Sequence, residues 1–202
     1  MGDLVRIWCL RHGESDNVTS GAAGAVPHAQ LTPRGREQAA AAARELAGEP
    51  ITAVYASTAR RAIQTAEPIA ASRGLEINAL GELVETGIGS AEASQDPEVR
   101  RRTAQVLRAW VVDGDLGQRV ADGETGHEVV ARVTAGFQTI AARDPGSTVA
   151  LVGHVASLTA GLGVLCDLGA GVWGAPLPHA EPFLVEWDGS DWHCPNWPAG
   201  TR

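Results

Sequence analysis

Leu4-Val5-Arg6-Ile7-Trp8-Cys9-Leu10-Arg11-His12-Gly13 is the stretch on which the fold turns. Its apolar run has the length of a strand and stops abruptly at a cation, an imidazole and a glycine. In an open α/β sheet such an ending lies at the carboxyl edge, where these folds bind ligands. The three residues suit a phosphate. A guanidinium offers a planar fork of donors to its oxygens, an imidazole attacks phosphorus, and glycine lets backbone come close. Far along the chain, Thr148-Val149-Ala150-Leu151-Val152-Gly153-His154 repeats the pattern. Two strands that each end in a histidine predict one site at one sheet edge.

The surrounding segments alternate between strand and helix signals. Glu14 to Gln30 has loop composition. Thr32 as a cap and Pro33 at the first helical position then open an Ala-rich helix to about Ala47, before Gly48 and Pro50 interrupt it. Ile51 to Ala56 reads as a strand. Ser57 or Thr58 caps a helix towards Arg73, with Gly74 as its stop and Pro68 expected to kink or divide it. Leu75 to Asn78 reads as a short strand and Gly81 to Gln95 as irregular. Asp96-Pro97 opens a helix to about Val112. Thr125 and Glu128 have the spacing of a capping box for a helix ending near Arg143. Asp144-Pro145-Gly146 is a turn before the second histidine strand, a helix follows from Ala156 to Leu165, and Phe183 to Trp187 is the final strand, closed by Asp188-Gly189. This order predicts an α/β fold, a three-layer α/β/α sandwich with a mostly parallel central sheet. No repeat or linker divides it, so residues 1–202 are expected to form one catalytic domain, with its long loops as the rim of the site.

Composition narrows the partners. The 202 residues are 44% hydrophobic, enough for a sizeable core. A net charge of −8 disfavours nucleic-acid and anionic-membrane partners, so any anion must be met by a local cationic pocket. The absence of a bilayer-length apolar segment and of a secretory leader pattern predicts a cytoplasmic protein. Cys9, Cys166 and Cys194 are odd in number and lack zinc spacing, which argues against a disulfide framework and a metal site. His28, His127, His179 and His193 share no metal-ligand spacing either. All 16 basic residues are Arg, and the abundance of Ala and Gly accounts for this as a composition bias. The sequence leaves the assembly open, a homodimer included.

Four separated elements carry a family resemblance: Leu10-Arg-His-Gly-Glu-Ser15, Leu31-Thr-Pro-Arg-Gly-Arg-Glu-Gln-Ala39, Ser57-Thr-Ala-Arg-Arg-Ala-Ile-Gln-Thr-Ala66 and Val152-Gly-His154. A fifth, Gly123-Glu124-Thr125, is similar to that family's Gly-Glu-Ser element. In this order the chain resembles the histidine phosphatase superfamily, also called the phosphoglycerate mutase-like family. The resemblance implies that His12 is a nucleophile forming a phosphohistidine. It implies that Arg11, Arg61 and His154 hold the phosphoryl group, with Arg61 rather than Arg60 facing the pocket. Glu85, in Leu83-Val84-Glu85, becomes the general acid, and Asn17, Thr125 and His179 become substrate contacts. The acidic balance favours a small phosphorylated metabolite over a polyanion as substrate, and no cofactor and no metal are expected.

Three departures from the family pattern stand out. Asn17 falls one position early, Val155 replaces a common glycine, and Thr86 to Ala93 lacks the usual aromatic and final glycine. Arg100-Arg101-Arg102 reads as a solvated helix face rather than a substrate clamp, and Trp173 as a residue of the site rim. Three functions remain: a phosphomonoesterase, a phosphomutase that returns the phosphoryl group to a bound product, and a catalytically silent phospholigand-binding protein.

Overall fold

The computed structural model describes residues 4–174 and 176–198, so the expected domain bounds at 1 and 202 lie outside the described residues. Its strands are β1 (Val5–Arg11), β2 (Ile51–Ser57), β3 (Ile77–Leu80), β4 (Thr148–Gly153), β5 (Phe183–Trp187) and β6 (Trp192–His193). Its α-helices are α1 (Asp16–Ser20), α2 (Pro33–Glu45), α3 (Arg60–Ala71), α4 (Pro97–Val111), α5 (Gly126–Arg143) and α6 (Val155–Leu165). The six strands form one sheet in the order β3-β2-β4-β1-β5-β6. The first four in that order are mutually parallel, whereas β5 runs antiparallel to β1 and β6 antiparallel to β5.

Side chains alternate across a strand, so a strand covered on both faces is apolar throughout. In β4, Val149 and Leu151 enter one core while Ala150 and Val152 enter the other. The first core includes Val106 and Trp110 of α4, Phe137 and Ile140 of α5, and Leu158 of α6. The second includes Ala42 of α2 and Ala62, Ala66 and Ile69 of α3. The result is a three-layer α/β/α sandwich.

Helix starts follow local chemistry. The Thr32 hydroxyl accepts the Gly35 N–H at 3.0 Å, and the Asp96 carboxylate accepts the Glu98 N–H at 2.9 Å. Thr125 and Glu128 form the expected capping box.

The structure differs from expectation in five places. The passage Glu14 to Gln30, expected as loop, holds the short helix α1, closed by Gly21 in the left-handed conformation and too brief to show a helical period. Helix α3 begins after Ala59, not after a Ser57 or Thr58 cap, because Ser57 completes β2. Pro68 lies inside an unbroken α3, whose buried Ala62, Ala66 and Ile69 hold it on the sheet despite one missing backbone bond. Strand β3 starts two residues late, since the Leu75 N–H is tied to the Ala70 carbonyl at 3.0 Å and pairing with β2 begins at Ile77. Phe183–Trp187 is not the last strand: the turn at Asp188 folds Trp192 back beside Trp187, and Trp192 meets Phe137 edge to face.

Candidate active site

Strands β1 and β4 are neighbours in parallel register, with Arg11 opposite Gly153. His12 and His154 therefore emerge side by side, and the His12 N–H extends the ladder to the Gly153 carbonyl at 3.0 Å. Their rings lie 5.1 Å apart between centroids. The turn after β1 is wedged against the start of α2. A Cβ on Gly35 would meet the Glu14 carbonyl oxygen at 1.9 Å, and one on Gly13 would meet the Gly35 carbonyl oxygen at 2.6 Å. Two motifs far apart in the chain thus interlock through bare backbone.

Arg61 joins the histidines. It is 1% exposed, donates from Nε to His12 Nε2 at 3.1 Å, and reaches His154 Nδ1 from Nη2 at 3.1 Å. Its Nη1 donates to the Val26 carbonyl at 2.8 Å. A guanidinium only donates, so these partners assign both tautomers. His12 Nδ1–H donates to the Gly13 carbonyl at 2.7 Å, leaving the Nε2 lone pair on the Arg61 side. His154 Nε2–H donates to Ser57 Oγ at 2.8 Å.

Electrostatics keep both imidazoles neutral. Burial first, and then the Arg61 charge, hold His12 well below the ordinary histidine value. Burial followed by His12 and Arg61 does the same to His154. Burial also lowers Arg11 to about 10, a shift that the Glu85 carboxylate opposes and Arg61 reinforces. Arg61 is lowered by burial and supported by Glu85 and Glu92. Arg11 donates from Nη1 to the Leu177 carbonyl at 2.8 Å, while its buried Nε has no acceptor among the described residues.

Glu85 arrives from a separate loop and caps α6. Its Oε1 accepts the N–H groups of Thr86 and Ser157 at 2.9 Å each, and its Oε2 accepts that of Ala156 at 3.2 Å. The N-cap residue of α6 is His154, whose side chain makes no capping bond, so a carboxylate distant in sequence satisfies two of the free donors of that helix.

These groups open onto a cavity of about 490 Å³ lined by Arg11, His12, Asn17, Arg61 and Glu85, among others. Asn17 is buried and accepts the Ser15 hydroxyl at Oδ1 at 2.8 Å, which leaves its amide N–H groups for the cavity. His154 is fully buried behind Arg61 rather than in the cavity wall.

Two expected substrate contacts are placed elsewhere. Thr125 does not line the cavity; its hydroxyl is committed to Glu128 at the start of α5. His179 stands beside His12 at 5.8 Å between ring centroids, outside the cavity lining, with Nδ1 donating to the His12 carbonyl at 2.9 Å. Arg60 faces solvent beside Glu67, as expected. Arg101 and Arg102 are on the solvated face, but Arg100 and Trp173 line the cavity.

Sequence reasoning missed the supporting hydroxyls of Ser57 and Thr65. Thr65 Oγ1 accepts the Gly13 N–H at 3.0 Å and donates to the Arg61 carbonyl at 2.7 Å, one helical turn after Arg61. That four-residue spacing within Ser57–Ala66 was the available signal.

A family model for the histidine phosphatase superfamily (branch 1) matches residues 7–199. The bifunctional protein Rv2228c of Mycobacterium tuberculosis is 31% identical over 172 residues, 85% of this chain and 47% of that protein. The chain spans about half the length of the first curated relatives it matches. A probable phosphoglycerate mutase, GpmB of Photorhabdus laumondii, is 28% identical over 203 residues, covering 96% of this chain and 90% of its own. The native structure of a mycobacterial glucosyl-3-phosphoglycerate phosphatase aligns with a TM-score of 0.81 at 26% identity, over 98% of this chain and 100% of the other. The fold is phosphoglycerate mutase-like. The family match runs from β1 past β6, and the chain belongs to the histidine phosphatase superfamily.

Proposed function

We propose that this chain is a phosphomonoesterase acting on a small phosphorylated metabolite through a phosphohistidine on His12. The observation that carries the reading is the His12 imidazole: neutral, fixed by the Gly13 carbonyl at Nδ1, with its Nε2 lone pair beside the Arg61 guanidinium. Phosphoryl transfer requires such a nucleophile, positive charge around the equatorial oxygens and a proton for the leaving alcohol.

His12 Nε2 forms a bond to phosphorus as the bond to the ester oxygen breaks. Arg11 and Arg61 turn their donors onto the phosphoryl oxygens, joined by the Asn17 amide, while His154 steadies Arg61 from behind. Glu85 delivers its proton to the departing oxygen from Oε2, the oxygen holding a single backbone bond. The Glu85 carboxylate then takes a proton from water, the resulting hydroxide attacks phosphorus, and phosphate leaves as His12 is regenerated.

A phosphatase is favoured over a mutase because the cavity wall beyond the cradle offers few polar groups to hold a product for rephosphorylation. We read residues 1–202 as one catalytic domain, since both cores share one sheet. We also place the protein in the cytoplasm, where its three free cysteines stay reduced; among the described residues no helix is long and apolar enough to cross a membrane. Rapid quench into alkaline detergent with phosphoryl-labelled 4-nitrophenyl phosphate, followed by acid treatment of the trapped protein, tests the reading. Label on His12 in an acid-labile form is expected, along with loss of phosphate release in His12→Ala. Undiminished release by that variant refutes it.

A further inference from the structure

We propose that the ester taken by this site carries an apolar, ring-sized alcohol, received by the part of the cavity farther from the cradle. The proposal rests on the phosphomonoesterase reading and narrows its substrate class. At about 490 Å³ the cavity has room for a ligand well beyond a phosphoryl group. Apart from Arg100, its charged residues Arg11, Arg61 and Glu85 gather around His12. The remaining wall is built from side chains such as Val18, Ile88, Leu107, Val155, Val172 and Trp173.

Two of these are conspicuous for their exposure. Among the described residues four large hydrophobic side chains are exposed, and two of them, Val18 at 38% and Trp173 at 39%, line this cavity. Apolar groups left open to water around a concave site mark a surface that a ligand covers. Against them the wall sets the guanidinium of Arg100 and the hydroxyls of Thr86, Thr103 and Thr159, the buried Thr86 Oγ1 having no partner among the described residues and so a place for one polar atom of the ligand. Thr103 already donates its hydroxyl to the Val99 carbonyl at 2.9 Å. A polyol pressed onto this wall would surrender its hydrogen bonds to water with few replacements, whereas a hydrocarbon ring would lose none.

The test compares phosphates of primary alcohols, so that the chemical step stays similar: 2-phenylethyl phosphate, ethyl phosphate and sn-glycerol 3-phosphate. From the apolar area of a phenyl ring, kcat/KM for the first is expected to exceed the others by roughly 30- to 100-fold. Equal values, or preference for the glycerol ester, overturn the proposal. Val18→Ser and Trp173→Ser alter exposed side chains outside the cores, and each should cut the phenylethyl-to-ethyl ratio several-fold. An unchanged ratio in both variants also overturns it. If even 4-nitrophenyl phosphate is not hydrolysed, the phosphatase reading fails, and calorimetric dissociation constants decide the present one. Tenfold tighter binding of 2-phenylethyl phosphate than of sn-glycerol 3-phosphate supports the apolar site; equal binding removes it.

Discussion

His12 and His154 are bases that the fold refuses to charge. Their values are lowered mainly by burial, and half-buried His179 is lowered the same way. Unfolding restores each to about 6.5. Between the lowered value and 6.5 the unfolded chain therefore binds more protons than the folded one, so stability is full above that window and falls as pH drops through it. Each histidine contributes a slope of up to about 1.4 kcal/mol per pH unit. Glu124, lowered by its hydrogen bonds to Arg132 and Gly87 against the opposing effect of burial, loses stability only in the more acidic carboxylate range. Melting temperatures are expected to be level between about pH 7 and 8, to decline below about pH 6.5, and to decline again above about pH 8.5, where burial keeps the Cys9, Cys166 and Cys194 thiols protonated only in the folded chain. If His12→Asn combined with His154→Asn leaves that decline unaltered, the assignment is wrong. Enzymatic activity should persist to pH values below the ordinary histidine titration, because the nucleophile stays neutral there.

Helix termini separate structural from chemical roles at the scale of elements. Thr125 caps α5, so Thr125→Ala should lower stability by about 1 kcal/mol in urea titration while kcat/KM stays as it was. A large kcat/KM loss with unchanged stability would return Thr125 to the substrate. The opposite case is α6, whose first turn is closed by Glu85 from another loop. The strand and helix order was legible because apolar runs stop at Gly, Pro and capping residues. His12, Arg11, Arg61, Glu85 and Asn17, all singled out from the sequence, meet at the cavity. What escaped reading depends on contacts between distant segments. Thr65 reaches Gly13 across 52 positions, and Ser57 reaches His154 across 97. Strand β6 was missed because its two residues are too few to show a period.

One sheet shared by two cores should make the molecule unfold as a unit. Trp8 packs against the core under α2 and α3, whereas Trp110 and Trp192 lie in the core under α4, α5 and α6, so intrinsic fluorescence reports on both faces. Its denaturation midpoint is expected to coincide with that of far-ultraviolet circular dichroism, and two separated transitions would contradict a single catalytic domain. The layered plan also explains why the groups around phosphorus sit deep at strand ends while Val18, Leu107 and Trp173 come from α1, α4 and the segment after α6. Leu107, Val172 and Trp173 stand on pieces of chain that carry none of the groups around phosphorus. After gene duplication, drift in the wall segments alone could redirect a daughter protein to another metabolite while its chemical engine passes on untouched.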